Sequence, residues 1–289
     1  MTRNIVDHEL HDWKDTGLWK IINEKTDHLS QSVSARILEI LPGIQAILAV
    51  TPSPIDFTLH DAQHAFRVAE RMIQVISTEV VSKLSVYELG LLLLSAYLHD
   101  IGMTPARRHV ELHYHYLLTG HVVENVIGSE SGETRRLSEQ DLKDFQKWLD
   151  EQPREVSIPI SSNTPTPDQL AQAEELVAYY CRGRHNDWSK DWISNNLSAS
   201  LGSYSGWRDD LIDLCQSHHW PYHQLVTDRF NPRPVSEGQI VHLRFLACVL
   251  RVADILENDP ERTPGVIFNH RDISPRIRDL PLVPFDPTA

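Results

Sequence analysis

The chain has 289 residues and a formal net charge of −13 with neutral histidines, which is enough length for one large domain or two small ones. This acidic balance argues against a protein that coats nucleic acid through a broad basic surface. Three dispersed cysteines, a polar N-terminus and apolar runs too short to span a bilayer predict a soluble cytoplasmic protein with no membrane partner.

Apolar residues at helical spacing dominate the first third of the chain. They predict a helix from Val33 to Leu48, which Pro42 would kink or split, and a second helix from about Asp61 to Val81. Ser85 and Glu88 form a capping-box pattern at the start of a strongly apolar helix that ends in the letters YLHD.

The rest of the chain is also mainly helical by pattern. Further helices are predicted at 112–127, 138–149, 168–181, near 186–196, near 206–219 and at 237–256. The Pro/Ser/Thr-rich stretch 153–167 is expected to be an extended loop, with VSIPI as a short edge strand at most. The last twenty residues carry four prolines and are expected to be irregular. The predicted fold class is therefore all-α, with at most a minor β-hairpin.

Sixteen histidines are unusual in a chain of this size, and several lie at the ends of apolar helices. His64 precedes an apolar face, His99 and Asp100 end the leucine-rich helix, and Asp254 lies inside the last helix. Three more histidines follow later helices, namely His185, His218 and His219. Imidazole and carboxylate are the expected ligands of divalent Fe, Mn, Zn, Ni or Mg. The ordered series therefore predicts helices that converge on a metal site.

Simpler interpretations of the same residues stay open. A carboxylate buried among apolar residues is costly unless it is paired or binds a metal, so Asp254 could belong to a salt bridge. Its partner would then be Arg251, Arg67 or Arg244. The pair His99–Asp100 taken alone could face solvent at the end of a helix.

The motifs HAFRVAE, YLHDIGM and LRVADILE resemble the H…HD…D pattern of the HD-domain metal-dependent phosphohydrolases. The matching positions are His64, His99, Asp100 and Asp254. The resemblance implies a helical bundle with a metal site at its centre. It also implies an HD-type domain at 51–262, a helical extension at 1–50 that packs on the core, and an irregular tail or linker at 263–289.

Some members of this family hold a second metal ion with extra histidines between the HD pair and the last aspartate. By this resemblance His185 and one or both of His218 and His219 would bind the second ion, and Asp100 would bridge the two. His219 is slightly favoured over His218. Alternatively, His185 caps a helix in solvent and one of the paired histidines faces outward.

Several other stretches are similar to HD domains that precede Hsp90-type ATPase modules in bacterial proteins. They are FTLHDAQHAFRVAE, CRGRHNDWS, and ADILENDPERT followed by NHRDIS. This similarity implies an ATPase module or another protein as a partner.

One position departs from the family pattern. Many members have a lysine at the position of Met103, which can contact a phosphate. Arg67 and Arg184 are the candidates to contact substrate phosphate instead. Arg107, Arg108 and Arg182 are further candidates, and any of these arginines could be only a surface charge.

The segment HVELHYH, residues 109–115, follows the HD pair closely. Its histidines could line the pocket, or the segment could be a solvated helix start. His113 and His115, or the unused member of the 218/219 pair, are candidates to protonate a leaving oxygen.

The resemblance implies hydrolysis of a phosphate ester by a water that one or two divalent ions activate, with Asp100 orienting that water. The expected substrate is a small phosphorylated molecule of the nucleotide type. The alternative is a regulatory or sensor module that binds metal and a nucleotide or partner without turnover. A structural zinc site is a third possibility, although such sites more often use cysteine.

Overall fold

The computed structural model describes residues 11–50, 61–104, 107–121, 139–152, 164–197, 206–235 and 238–257. This part of the chain contains eleven α-helices and one two-stranded antiparallel sheet, which confirms the predicted all-α fold with a minor hairpin. It divides into two compact units. The first consists of the described residues within 11–50, 61–102 and 186–257, and the second of those within Met103–His185.

The helices are numbered in chain order. They are α1 (Gly17–Asn23), α2 (His28–Val50), α3 (Ala62–Val75), α4 (Thr78–Lys83), α5 (Val86–Leu98), α6 (Arg107–Thr119), α7 (Glu139–Asp150), α8 (Pro167–Asn196), α9 (Trp207–Ser217), α10 (Tyr222–Leu225) and α11 (Leu243–Leu256). Short 3-10 turns lie at Trp13–Asp15, Ile101–Met103 and Asp228–Phe230. Strands β1 (Arg233–Pro234) and β2 (Ile240–Val241) pair with Arg233 opposite Val241.

Helix α5 is the centre of the first unit, and every residue from Val86 to Leu98 is buried. It packs against α1, α2, α3, α9 and α11. The predicted capping box is confirmed, because the Glu88 amide donates to Ser85 Oγ at 3.2 Å and the Ser85 amide donates to Glu88 Oε2 at 2.9 Å. A helix that is apolar on all sides is stable only in such an enclosed position.

A glycine allows the close packing around α5. A Cβ atom at Gly90 would lie 2.7 Å from Trp207 Cη2 and 3.0 Å from Val33 Cγ1. Both contacts are tighter than normal packing permits, so α9 and α2 approach α5 only because residue 90 has no side chain.

Asp210 on α9 is fully buried and belongs to a charged network in the first unit. It accepts hydrogen bonds from the Tyr87 hydroxyl at 2.6 Å, from Arg229 Nη2 at 2.8 Å and from Arg233 Nη2. Arg229 also pairs with Asp213. The network connects α5, α9 and the β-hairpin, and two of the three side chains that donate to Asp210 are arginines.

Helix α2 continues through Pro42, so the prediction that this residue splits the helix is wrong. Pro42 and Leu38 lie on the exposed side, where water can replace the hydrogen bond that proline cannot donate. His28–Ala49 is also long and apolar enough to cross a membrane by length and composition. Core helices pass the same test, and the apolar side chains of α2, such as Ile37 and Leu41, are buried in the first unit.

Two predicted helices have different boundaries. The segment 61–81 forms α3 and α4, because Ile76 is extended and Ser77 caps the second helix. The helix predicted at 237–256 begins at Leu243, because Ile240–Val241 pairs with the other strand of the hairpin.

The remaining predicted helices are found with shifts at their ends. The segments 168–181 and 186–196 form the single helix α8. Helix α6 begins earlier than predicted and ends before Gly120, which has a positive φ of 69° that suits a helix end. The predicted features at 122–127, 153–163 and 270–289 lie outside the described residues. The domain boundaries at 50 and 262 stay a prediction.

The second unit has an aromatic core. The Phe145 ring on α7 lies 4.7 Å from the Tyr180 ring on α8 and 4.7 Å from the His113 ring on α6, between ring centroids. Trp148 stacks on Phe145 with an interplanar angle of 11°. Helices α6, α7 and α8 therefore share one apolar layer within this unit.

Candidate metal centre

Helix α3 places His64 in the interior of the first unit. The Asp61 side chain caps this helix by accepting a hydrogen bond from the His64 amide at 2.8 Å. His64 is on the buried face of the helix, in line with Val68 and Met72, and is 1% exposed. The cap and the amphipathic pattern together direct this imidazole inward.

The end of α5 positions His99 and Asp100. His99 is the C-cap residue, and its amide donates to Ser95 O at 2.9 Å. The Ser189 hydroxyl on α8 donates to His99 O at 2.9 Å and accepts from the Gly102 amide at 2.9 Å. The HD pair is thus held in a fixed turn by a serine that the sequence pattern did not indicate.

Four side chains from α3, from the end of α5 and from α11 meet at one point. His99 Nε2 lies 3.1 Å from Asp100 Oδ2 and 3.7 Å from Asp254 Oδ1. His64 Nε2 lies 3.5 Å from Asp100 Oδ2 and 3.6 Å from Asp254 Oδ1. One ligand atom from each residue lies within 4.8 Å of the others, so the four could hold a metal ion.

The hydrogen bonds of the His64 and His99 Nδ1 atoms determine whether a lone pair or a proton on Nε2 faces the other ligand atoms. His64 Nδ1 donates to Glu257 Oε2 at 2.8 Å, and His99 Nδ1 donates to the Ser95 and Ala96 carbonyls at 3.2 and 3.1 Å. A proton on Nδ1 leaves a lone pair on Nε2 of the neutral ring. The two Nε2 atoms lie 3.4 Å apart, so in the neutral rings two lone pairs face each other beside two carboxylates. A cation between them would satisfy all four groups, so this donor set fits a divalent metal.

The charges of the cluster shift two pKa values in opposite directions. Burial alone would lower the pKa of His99, but the neighbouring carboxylates of Asp100 and Asp254 raise it well above its ordinary value. Burial alone would raise the pKa of Asp254, but the hydrogen bond and charge of His99 lower it. The charged form of each of these two residues is thus among the causes of the shift in the other.

The comparisons with known proteins identify the family. A family model described as HD-CE matches residues 55–280. The chain belongs to the HD-CE family. The match includes all four residues of the cluster and confirms the predicted HD-domain assignment. No curated protein and no solved structure matches the chain. The relation to HD domains that precede Hsp90-type ATPase modules stays a prediction.

His218 is the member of the histidine pair that lies against the HD-CE cluster. Its Nε2 atom is 3.3 Å from Asp100 Oδ1, and its Nδ1 donates to the Cys215 carbonyl. His219 is exposed, and its ring lies 4.2 Å from the His218 ring. This geometry favours His218 over His219 as a neighbour of Asp100, contrary to the slight preference from the sequence.

His185 lies inside α8 and belongs to the second unit. It is buried and its Nδ1 donates to the Arg182 carbonyl. It is therefore not a helix cap in solvent, and its role as a metal ligand stays a prediction.

The alternative salt bridges of Asp254 are absent from the described part of the HD-CE domain, where its ion pairs are with His64 and His99. The three arginines that were considered as its partners donate hydrogen bonds to other groups. Arg251 donates to the Ser217 and Trp220 carbonyls, Arg244 donates to Leu225 O and Asn231, and Arg67 donates to Glu257.

The two histidines predicted as proton donors lie in the second unit. His113 has no exposed surface and packs against Tyr180 in the aromatic core, so it is a core residue of the second unit. His115 is exposed, and its Nδ1 lies 3.1 Å from Thr119 Oγ1. Their catalytic role stays a prediction. The side chains of residues 107–111 lie outside the described part of the structure.

The residues considered for phosphate binding have identifiable partners. Arg67 Nε donates to Glu257, and Arg184 Nη2 lies 3.6 Å from Asp144 Oδ2 and 3.9 Å from Asp141 Oδ1. Met103 is buried. The phosphate contacts of Arg67 and Arg184 stay predictions.

Sequence reasoning did not identify Glu257. Its carboxylate is 2% exposed and contacts His64 and Arg67. The available signal was its position three residues after Asp254, because residues at this spacing share one face of a helix.

Proposed function

We propose that this HD-CE protein is a metal-dependent hydrolase of phosphate esters, a phosphohydrolase or phosphodiesterase that acts on a small nucleotide-type substrate. The single observation that supports it most is the facing Nε2 atoms of His64 and His99 beside Asp100 and Asp254. The four residues lie within the segment that matches the family model, and they carry the H…HD…D motif through which the sequence resembles the HD-domain phosphohydrolases.

His64, His99, Asp100 and Asp254 would hold the first ion. His218 and Asp100 would contribute to a second ion, and the family resemblance adds His185 as a further ligand. When bound, such an ion lowers the pKa of a water and neutralises charge on a phosphoryl oxygen.

The protein's own side chains would have separate roles in the reaction. Asp100, whose two oxygens lie near three imidazoles, would orient the attacking water. His219 is exposed beside His218 and is the best placed of the candidate acids within the first unit to protonate the leaving oxygen. His113 and His115 remain the other candidates.

A small substrate in the cytoplasm agrees with the composition. The net charge of −13 disfavours a long nucleic acid, because its phosphates would be repelled except where a metal provides positive charge. The three cysteines are free, which suits a reducing compartment. An ATPase module or another protein remains the proposed partner.

The test combines metal analysis of protein purified without chelator with a panel of phosphate mono- and diesters. We expect co-purified divalent metal and Mn²⁺-stimulated hydrolysis that Asp100→Ala abolishes. Metal-free wild type without stimulated activity would contradict the proposal. Equal activity in wild type and variant would contradict the site.

A regulatory module without turnover is the second candidate, and Met103 favours it. This side chain is apolar and buried where many relatives of the wider HD superfamily have a phosphate-contacting lysine. Tight binding of Mn²⁺ and a nucleotide with no hydrolysis over the whole panel would support this candidate instead.

A further inference from the structure

Glu257 connects the proposed metal site to a residue outside it. It follows α11 as the C-cap residue, and its amide donates to the Ala253 and Asp254 carbonyls at 3.0 and 3.1 Å. Its buried carboxylate lies between two donors, His64 Nδ1 at 2.8 Å and Arg67 Nε at 2.5 Å. The backbone anchor and the two donors fix this carboxylate in one orientation.

A carboxylate in this position determines the tautomer of His64. An ionised carboxylate can only accept hydrogen bonds, so the His64 proton must be on Nδ1. The Nε2 lone pair is then directed toward Asp100, Asp254 and His99. A carboxylate on the far side of a metal-binding imidazole also makes that ring a stronger ligand.

Arg67 is one helical turn from His64 on α3 and contacts the other oxygen of the same carboxylate. Its guanidinium neutralises a charge that would otherwise be costly to bury. It also prevents Glu257 from turning away from His64. His64, Glu257 and Arg67 therefore form a connected series of charge-assisted hydrogen bonds.

We propose that Glu257 is the positioning residue that makes His64 a metal ligand, and that Arg67 holds Glu257 in place. This inference rests on the proposed function, because it assigns His64 to the metal. It gives Arg67 a role in metal affinity rather than in phosphate binding.

The variant Glu257→Gln separates this role from a merely structural one. A glutamine has one amide oxygen, and an NH₂ group beside Arg67 Nε would place donor against donor. The oxygen therefore turns to Arg67 and the NH₂ group to His64, which moves the histidine proton to Nε2. We expect Mn²⁺ affinity, measured by electron paramagnetic resonance, to fall by about 10- to 100-fold.

A second substitution provides the rescue. In Glu257→Gln with Arg67→Met the amide oxygen is free to accept from His64 Nδ1, so Mn²⁺ affinity recovers. We expect the double variant to regain at least about half of the lost affinity on a logarithmic scale. Additive losses from the two substitutions would contradict the assigned role of Arg67.

Glu88→Gln is the matched control, because Glu88 is also a buried glutamate, 2% exposed, that pairs with a histidine ring, that of His242, at 2.9 Å. It lies at the opposite end of α5 from His99, so its loss should leave Mn²⁺ affinity unchanged. Nitrogen-15 NMR of the metal-free proteins reports the His64 tautomer directly. We expect a proton on Nδ1 in the wild type and on Nε2 in Glu257→Gln.

The outcomes distinguish the two proposals. Wild-type Mn²⁺ affinity in Glu257→Gln, or a proton on Nε2 of His64 in the metal-free wild type, overturns the role of Glu257 and leaves the proposed function intact. A wild type that binds no divalent ion overturns both.

Discussion

Two groups of acidic side chains lie largely inside the first unit, and they differ in the kind of side chain that contacts them. Asp210 accepts hydrogen bonds from two arginines and a tyrosine hydroxyl, and all of these donors keep their protons at neutral pH. Asp100 and Asp254 instead face imidazole rings whose Nδ1 protons point away from them. The first group is held by permanent cations, whereas the imidazoles of the second group are not permanent cations.

The difference shows that a buried carboxylate is not by itself evidence for a functional site. Both groups place aspartates among apolar helices, and both shift the pKa of a neighbour. Burial and the charge of Asp210 raise the pKa of Tyr87, much as carboxylates raise that of His99. The chemistry of the partners distinguishes them, because arginine is a permanent cation and imidazole is a ligand that binds metal in its neutral form.

Among the variants considered, Asp254→Asn in the candidate metal cluster should have the largest effect. It tests whether this aspartate differs in role from Asp210. The amide removes one anionic ligand, so we expect phosphate-ester hydrolysis with Mn²⁺ to fall by at least about 10³-fold. Steady-state kinetics on a chromogenic ester measure this loss. The metal-free variant should be at least as stable as the metal-free wild type, and marked destabilisation would mean that Asp254 has a structural role like that of Asp210.

Asp210→Asn should have the opposite pattern. It leaves two arginines without their buried counter-ion, so the free energy of unfolding should fall by about 3 kcal/mol. Urea denaturation in the presence of a chelator measures this change. Mn²⁺ affinity of the folded protein should be unchanged, and a large loss of affinity would show that the two groups are not independent.

Addition of Mn²⁺ tests whether the Asp254 group or the Asp210 group binds the metal. At about 100 times the dissociation constant, Mn²⁺ should stabilise the folded protein by about 2.7 kcal/mol. Thermal unfolding with and without Mn²⁺ measures the shift. The variant Asp254→Asn should lose it and Asp210→Asn should keep it, so an equal shift in both variants would place the metal elsewhere.

Gly90→Ala tests the packing of α5, the helix that contributes Tyr87 to the Asp210 group and His99 to the other group. The added methyl would collide with Trp207 on the Asp210 side of α5, and overpacking of this kind costs about 2 kcal/mol. The control is Gly43→Ala on α2, where a Cβ would meet nothing within 4 Å and should not destabilise the helix. Chemical denaturation of the two variants checks the contrast, and equal stability would mean that α9 can shift away from α5.

The sequence predicted those features that depend on local pattern. The capping box of α5 and the apolar run that follows it are local patterns. The four residues of the H…HD…D motif were predicted from their order and from the family resemblance, and the folded chain brings them together. Boundaries were less accurate where tertiary contacts decide them. Ile240–Val241, for example, pairs with another strand instead of joining the helix that follows.

Residues whose role depends on distant partners could not be predicted. Ser189 contacts His99 and Glu257 contacts His64, and the two residues of each pair are 90 and 193 positions apart in the chain. Asp210 and Asp254 both lie in apolar helices. The family resemblance predicted that Asp254 meets histidines, and only the folded structure shows that Asp210 meets arginines. Local pattern carries no information about which side chain arrives from another helix.

The anchors behind the imidazole rings have a consequence for how this site can evolve. His99 and His218 donate their Nδ1 protons to main-chain carbonyls, which every amino acid possesses and no point mutation deletes. The Nδ1 partner of His64 is a side chain, so a single codon can alter it. On the proposed function, position 257 is therefore where natural variation or laboratory selection can adjust the strength of metal binding while all four proposed ligands stay in place.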